Sequence, residues 1–201
     1  MRVISVNTNG IRAAAKKGFY EWLKKTNPDI VCIQETKAQE DQLTHDQFKP
    51  DSYYCHYHDA VKKGYSGVAI YSKVKPKKIN EGLGWHDIDI EGRYLEFQYD
   101  KLSVISLYMH SGSSSEERQA VKFDFMDRFM PYLESLRRKR REFIICGDWN
   151  IAHKKIDIKN WRSNQKNSGF LPEERAWMDR LFDEIGYVDA FRVVNQQEHQ
   201  Y

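Results

Sequence analysis

Phe143-Ile144-Ile145-Cys146-Gly147-Asp148-Trp149-Asn150 is the stretch on which the reading of this chain turns. An apolar run with the length of a buried strand ends abruptly in Gly-Asp-x-Asn. Packing alone gives a buried strand little reason to end that way. Asp can exchange a proton or ligate a metal ion, and Asn can hydrogen-bond a phosphate oxygen or a substrate water. Gly, Asp and Asn are also turn formers, so a plain turn is the competing reading.

The same pattern recurs three times. Arg2-Val3-Ile4-Ser5-Val6 runs into Asn7-Thr8-Asn9-Gly10, Ile30–Gln34 runs into Glu35, and Leu102–Tyr108 closes on its phenol. Neighbouring strands would bring these ends to one sheet edge. The helical signals between them are equally regular. Phe19, Trp22 and Leu23 fall at helical spacing and stop at Asn27-Pro28. Arg93 to Tyr99 alternates and pairs as a hairpin with Leu102–Tyr108 across Asp100-Lys101. Val121, Phe125, Phe129, Leu133 and Leu136 form the buried stripe of a long helix, which Pro131 should kink or split. Pro172 opens another helix, with Glu173 and Glu174 at its positive end, Trp177, Leu181 and Ile185 inward, and Gly186 as the cap. A last element starts at Val188-Asp189-Ala190-Phe191. Strands alternating with helices, with hairpins among them, predict an α/β domain with mixed sheets over residues 1–201.

Composition narrows the function. The net charge of +3 permits a polyanionic partner without requiring one. The basic run at 137–141 could track phosphates or serve a helix C-terminus. No apolar stretch is long enough to span a bilayer, and the chain begins with a strand pattern rather than a basic-then-apolar leader, so a cytoplasmic location is expected. Cys32, Cys55 and Cys146 are odd in number and widely spaced, which suits a reducing compartment and no zinc site.

The four strand ends offer one strong hard-metal ligand (Glu35), a second carboxylate (Asp148), neutral amides (Asn7, Asn9, Asn150) and a phenol (Tyr108). Magnesium prefers oxygen ligands and is often held by one or two carboxylates and waters. There is no Ser or Cys nucleophile beside a base and no phosphate-binding Gly-Lys-Ser/Thr loop, so the attacking group is water. Each residue has a plainer reading alone. Asn7 and Asn9 could form a turn before Gly10, Glu35 could pair with Lys37, and Tyr108 could be an ordinary strand aromatic.

Asn7-Thr8-Asn9-Gly10-Ile11-Arg12, Ile33-Gln34-Glu35-Thr36-Lys37 and Gly147-Asp148-Trp149-Asn150-Ile151-Ala152 resemble three signatures of the exonuclease III family, the apurinic/apyrimidinic (AP) endonucleases of base-excision repair. Tyr65-Ser66-Gly67, Gly92-Arg93, Lys122-Phe123, the stretch from Gly169 to Trp177 and Asp189-Ala190-Phe191-Arg192 extend the resemblance over essentially the whole chain. It implies a DNase I-like fold, two mixed β sheets in a sandwich flanked by helices. It implies that Glu35 holds Mg²⁺ or Mn²⁺ with Asn9 nearby and that Asn7 hydrogen-bonds within the site. Tyr108 would contact the scissile phosphate, Asp148 would handle a proton, and Asn150 would steady the phosphate. Arg93, Trp161, Arg162, Asn164 and Asn167 would contact DNA. The implied substrate is double-stranded DNA with abasic sites or 3′ ends, cut 5′ to the abasic site or trimmed, by a monomer.

The pattern breaks in two places. Family members continue past the position of Tyr201 with an Arg-x-Asp motif and a terminal Ser-Asp-His motif, so the second sheet is expected to lack its final strands and the chain to be weak or inactive alone. After Tyr108 the chain reads Met109-His110-Ser111-Gly112, where many members carry a proline. Together with the basic run at 137–141 and Asn160-Trp161-Arg162, this resembles the sub-branch of catabolite-repression-control proteins, which makes a non-catalytic RNA- or protein-binding regulator the alternative. A phosphatase for a small phosphorylated alcohol is a third reading.

Overall fold

Two short parallel pairings, one in each sheet, do most to place the polar strand ends. A computed structural model describes residues 1–198 and 200. The chain forms two compact units, Met1–Met109 with Arg141–Asp148, and His110–Arg140 with Trp149–Tyr201.

The first unit holds β1 (Val3–Asn7), α1 (Ile11–Lys16), α2 (Phe19–Thr26), β2 (Ile30–Gln34), β3 (Tyr54–His58), β4 (Val68–Ser72), β5 (Lys78–Glu81), α3 (His86–Asp89), β6 (Tyr94–Gln98), β7 (Leu102–Tyr108) and, after the second unit's long helix, β8 (Glu142–Asp148). One sheet runs β1-β2-β4-β3 and the other β5-β6-β7-β8. β1 pairs parallel with β2, and β7 with β8; the other pairings are antiparallel, including the expected β6–β7 hairpin. Both sheets are therefore mixed, as the alternation of signals predicted.

Ile30, Cys32, Val68, Ile70, Leu95, Phe97 and Val104 fill the space between the sheets. Each such aliphatic side chain, fully buried, contributes roughly 1.5–3 kcal/mol. Ile11, Phe19 and Leu23 cover the outer face of the first sheet against Val31, Ile33, Tyr57 and Tyr71. β2 and β4 are thus buried on both faces, which is why they read as unbroken apolar runs rather than alternating ones. The parallel registers put Asn7 opposite Gln34 and Tyr108 opposite Asp148, so strand ends of the same polarity lie side by side. Sites in α/β proteins form outside such carboxyl ends.

The run through Phe143 and Ile144 reads as a buried strand, but β8 is half-buried from Phe143 onward. β8 ends the order of its sheet among the described residues, so one of its edges lacks a strand neighbour.

The second unit holds α4 (Glu116–Arg137), α5 (Trp161–Asn164), α6 (Pro172–Asp179), a wider helical turn at Arg180–Glu184, and α7 (Ala190–Val194). Ser115 caps α4 by accepting from the Arg118 N–H at 3.2 Å. Pro131 does not split α4, which runs through it. Burial of Phe129, Met130 and Leu133 around Pro131 outweighs the ~3 kcal/mol a mid-helix proline costs. Val121, expected in the buried stripe, is exposed, and Lys122 takes the inward place. Ile185 is only half-buried, whereas Trp177 and Leu181 are buried as expected. Gly186 adopts φ +83° where the helix ends, and Asp189 caps α7 through the Arg192 N–H at 3.0 Å.

Candidate active site

Asn7 is the hub of the cluster. Its Oδ1 accepts from the Asn9 N–H at 2.9 Å, which turns the chain after β1. Its Nδ2 donates to Glu35 Oε1 and to Asp148 Oδ2, both at 2.7 Å. An amide nitrogen has two hydrogens, so each carboxylate receives one, and the neutral amide bridges two like charges. Lys37 Nζ lies 2.6 Å from Glu35 Oε2 and 2.6 Å from Asn9 Oδ1. The Tyr108 hydroxyl hydrogen-bonds Glu35. Five predicted residues, Asn7, Asn9, Glu35, Tyr108 and Asp148, thus meet, and the plain pairing of Glu35 with Lys37 holds alongside.

The backbone here is strained. Asn9, Glu35 and Lys37 take φ of +44°, +52° and +48°, a region that costs a non-glycine residue on the order of 1–3 kcal/mol. Such outliers persist where surrounding bonds over-determine them. Gly10 N–H donates to Glu35 O at 2.7 Å, Ile11 N–H to Thr36 O at 2.9 Å, Thr36 N–H to Gly67 O at 3.0 Å and Lys37 N–H to Ser66 O at 2.8 Å. This gives the Tyr65-Ser66-Gly67 motif its physical reason. A Cβ on Gly67 would lie 2.2 Å from Thr36 Oγ1, so only glycine lets this loop back the Glu35 turn.

Burial pushes the Glu35 carboxyl up, but hydrogen bonds from Asn7 and Lys37 and the Lys37 charge outweigh it and hold the group below the usual carboxylate range. Burial, followed by the Glu35 charge, pushes the Tyr108 phenol above its usual value despite Arg93, so it remains an O–H donor at neutral pH. Arg93, expected to contact DNA, is 2% exposed. Its Nε donates to Glu91 Oε2 at 2.6 Å, Nη1 to Tyr108 O at 3.0 Å and Nη2 to Tyr65 Oη at 2.8 Å. Its guanidinium carbon sits 4.8 Å from the Tyr108 ring centroid. These bonds turn Arg93 inward to support Tyr108 rather than outward to a DNA backbone.

Among the described residues no three His, Cys, Asp or Glu side chains gather as a metal cluster. A hard divalent cation does not need three, because magnesium keeps waters. Glu35 and Asn9, the residues expected to hold the metal, turn Oε2 and Oδ1 to the Lys37 ammonium, so this donor pair already holds a positive charge that a metal ion would displace. The residues fit such an ion.

In the second unit Asn150 has φ +50°, and its carbonyl accepts from Lys122 Nζ at 2.7 Å. Lys122 Nζ is also 2.5 Å from Glu174 Oε1, and both side chains are wholly buried. Glu174 Oε2 accepts from the Gly169 and Leu171 N–H groups at 2.6 and 3.0 Å. The Lys122-Phe123 and Gly169–Trp177 motifs are thereby explained as one ionic knot around Asn150. Sequence reasoning placed Glu174 at a helix end and missed the knot, although a lysine three residues before Phe125 on an inward stripe was a usable signal. Trp149 packs its ring 6.4 Å from Phe129 and 6.2 Å from Trp177.

Lys155 Nζ and the Arg162 guanidinium lie 4.1 and 4.7 Å from the Trp161 ring centroid. With Lys159 they line a cavity of about 570 Å³ in this unit. Asn167 Nδ2 donates to Asn164 Oδ1 at 3.1 Å, and Asn164 in turn bonds Asn160 O, so this pair ties the loop together.

The Endonuclease/Exonuclease/phosphatase family matches residues 4–193. An exodeoxyribonuclease of Bacillus subtilis (strain 168) is 38% identical over 195 residues, 96% of this chain and 75% of that protein. A DNA-(apurinic or apyrimidinic site) endonuclease of Dictyostelium discoideum is 38% identical over 197 residues, 97% of this chain and 54% of that protein. The chain therefore spans about half to three quarters of these relatives' lengths. The solved structure of an AP endonuclease from Archaeoglobus fulgidus matches with a TM-score of 0.89 at 27% identity, covering 100% of this chain and 77% of that one. Shared architecture, the motif-bearing cluster and this degree of identity agree: the chain belongs to the endonuclease/exonuclease/phosphatase family, among its exodeoxyribonuclease III and AP endonuclease members.

Proposed function

We propose that this chain carries the site of a metal-dependent DNA phosphodiesterase that cuts beside abasic sites and trims 3′ ends. The observation that carries the reading is the Asn7 amide shared by Glu35 and Asp148, with Tyr108 bonded to the same glutamate. Glu35 and Asn9 would hold Mg²⁺ or Mn²⁺, whose role when bound is to polarise a phosphoryl oxygen and stabilise developing charge. The protein's own groups do the rest. Tyr108, kept as a neutral O–H, would turn its single proton from Glu35 to a phosphate oxygen. Asn7 holds Asp148 through Oδ2, fixing the carboxylate that exchanges a proton with the attacking water or the leaving 3′-oxygen. Water oxygen bonds phosphorus as the bond from phosphorus to the 3′-oxygen breaks, leaving a 3′-hydroxyl and a 5′-phosphate. Asn150 is assigned to the phosphate, and Trp161, Arg162, Asn164 and Asn167 to DNA, with Lys155 and Lys159 adding positive charge beside Trp161.

An abasic nucleotide has no base to stack, so extruding its sugar costs less than extruding an intact nucleotide. Phosphate contacts would make binding fall with salt. The enzyme is expected to act as a monomer in the cytoplasm. The regulator reading gains no support from the relatives, which are nucleases by name. The test compares abasic duplex, 3′-phosphate DNA and inositol phosphates with Mg²⁺ or Mn²⁺ and after chelation. Metal-dependent cleavage confined to DNA, and weak for this chain alone, is the expected result. Hydrolysis of inositol phosphates alone, or cleavage indifferent to chelation, would overturn the reading.

A further inference from the structure

A buried polar chain between the two sheets takes no part in the reaction just described. Gln34 is the last residue of β2, beside Glu35, and is 1% exposed. Its Nε2 donates to Ser106 Oγ on β7 at 3.0 Å, and its Oε1 accepts from Ser5 Oγ on β1 at 3.2 Å. Ser106 Oγ donates onward to Ile33 O at 3.0 Å. Ser5 lies two residues before Asn7, and Ser106 two before Tyr108, so each points to the same face of its strand as the site residue it precedes. Ser106 also pairs in register with Cys146, two residues before Asp148.

We propose that Gln34 is a positioning residue that sets the offset between the sheets, so that Asn7 reaches both carboxylates and Tyr108 meets Glu35. The inference rests on the phosphodiesterase reading of that cluster. Apolar contact between sheets is non-directional, so Val68, Ile70 and Val104 would tolerate a small slide. The 2.7 Å bond from Asn7 to Asp148 would not, because a hydrogen bond stretched past about 3.5 Å is lost. A fully satisfied buried polar network specifies one arrangement. Replacing it with apolar groups of like shape leaves stability nearly unchanged, which separates position from folding.

The experiment uses the triple variant Ser5→Ala, Gln34→Met, Ser106→Ala in the whole chain, which replaces every member of the network, with Gln34→Met alone as a second variant that decides the matter if the first does not fold. The expected result is unfolding close to wild type, shifted side-chain amide resonances of Asn7 in ¹⁵N-labelled protein, and Mn²⁺ affinity lower by roughly 10- to 100-fold. On abasic duplex, kcat should fall with KM unchanged. Unmoved Asn7 resonances with wild-type Mn²⁺ affinity would overturn the role of Gln34 and leave the phosphodiesterase reading intact. Shifted resonances in a protein whose wild type neither binds Mn²⁺ nor cuts DNA would overturn that reading and leave Gln34's role standing.

Discussion

Two polar clusters in this molecule are built from similar residues and behave differently. The first unit sets Asn7, Glu35, Lys37 and Asp148 at or just beyond strand ends, half-buried or exposed, with Glu35 and Lys37 on strained backbone. The second unit sets Lys122 against Glu174 with neither side chain reachable from water. Both carry short charge-assisted bonds, so hydrogen bonding alone does not separate a reactive cluster from a structural one. Access does. Glu35 gives its oxygens to flexible partners that a ligand can replace, whereas Glu174 spends its oxygens on Lys122 and on two backbone N–H groups that no ligand can displace.

The largest effect should come from the first cluster without touching stability. Asp148→Asn keeps size and can still bond Asn7, but it cannot take a proton. Cleavage of abasic duplex should drop by roughly 10²- to 10⁴-fold, with the unfolding midpoint unchanged. A variant that instead lost stability would erase the distinction drawn between the clusters.

The second cluster should show the reverse. Lys122→Met strands the Glu174 carboxylate and should cost about 3–5 kcal/mol, read by denaturant unfolding. Adding Glu174→Met should restore only part of that loss, because apolar groups replace the ion pair at little net cost but leave the Gly169 and Leu171 N–H groups without their acceptor. If the double variant stays as unstable as the single one, the pair is not a self-contained knot.

The first cluster was legible because its members end apolar runs, and parallel pairing of β1 with β2 and of β7 with β8 carries those ends together. Chemistry-bearing residue types at strand ends are a local signal. The second cluster was not legible because burial is a tertiary property. Only its spacing from Phe125 sets Lys122 apart from the exposed Lys139, its partner Glu174 lies 52 residues away, and Arg93 looked like a DNA contact until Glu91, Tyr65 and Tyr108 enclosed it. Pro131 failed as a helix breaker for the same reason, since packing of its neighbours overrides the local cost. Gln34 sat in plain view within a motif, but its partner Ser106 is 72 residues away and becomes visible only when the sheets face each other.

Within the first cluster, Tyr108→Phe removes one O–H donor and with it the bond to Glu35. Turnover should fall by about 10²-fold, the scale for losing one transition-state donor. Because burial and Glu35 hold the phenol above its usual pKa, wild-type activity should not decline through about pH 10, where an ordinary tyrosine ionises. A wild-type decline there that vanished in Tyr108→Phe would show that the phenol titrates normally and that Glu35 does not hold it.

The smallest effect concerns folding and pH. Glu35 is held below the usual carboxylate range, so in the folded state it gives up its proton more readily than in the unfolded chain. Between the two pKa values the unfolded state binds more protons, and stability therefore rises with pH. The contribution is complete above the ordinary glutamate value of about 4.3 and disappears as pH falls through the lowered one. Comparing urea unfolding of wild type and Glu35→Gln across this acid range isolates it. Wild type should lose its advantage over the variant as pH falls, by a modest amount because Lys37 is partly open to solvent screening. A difference that stayed constant with pH would mean that Glu35 stabilises the fold through contacts indifferent to its charge. The strand-end cluster would then resemble the buried pair more closely than its geometry implies.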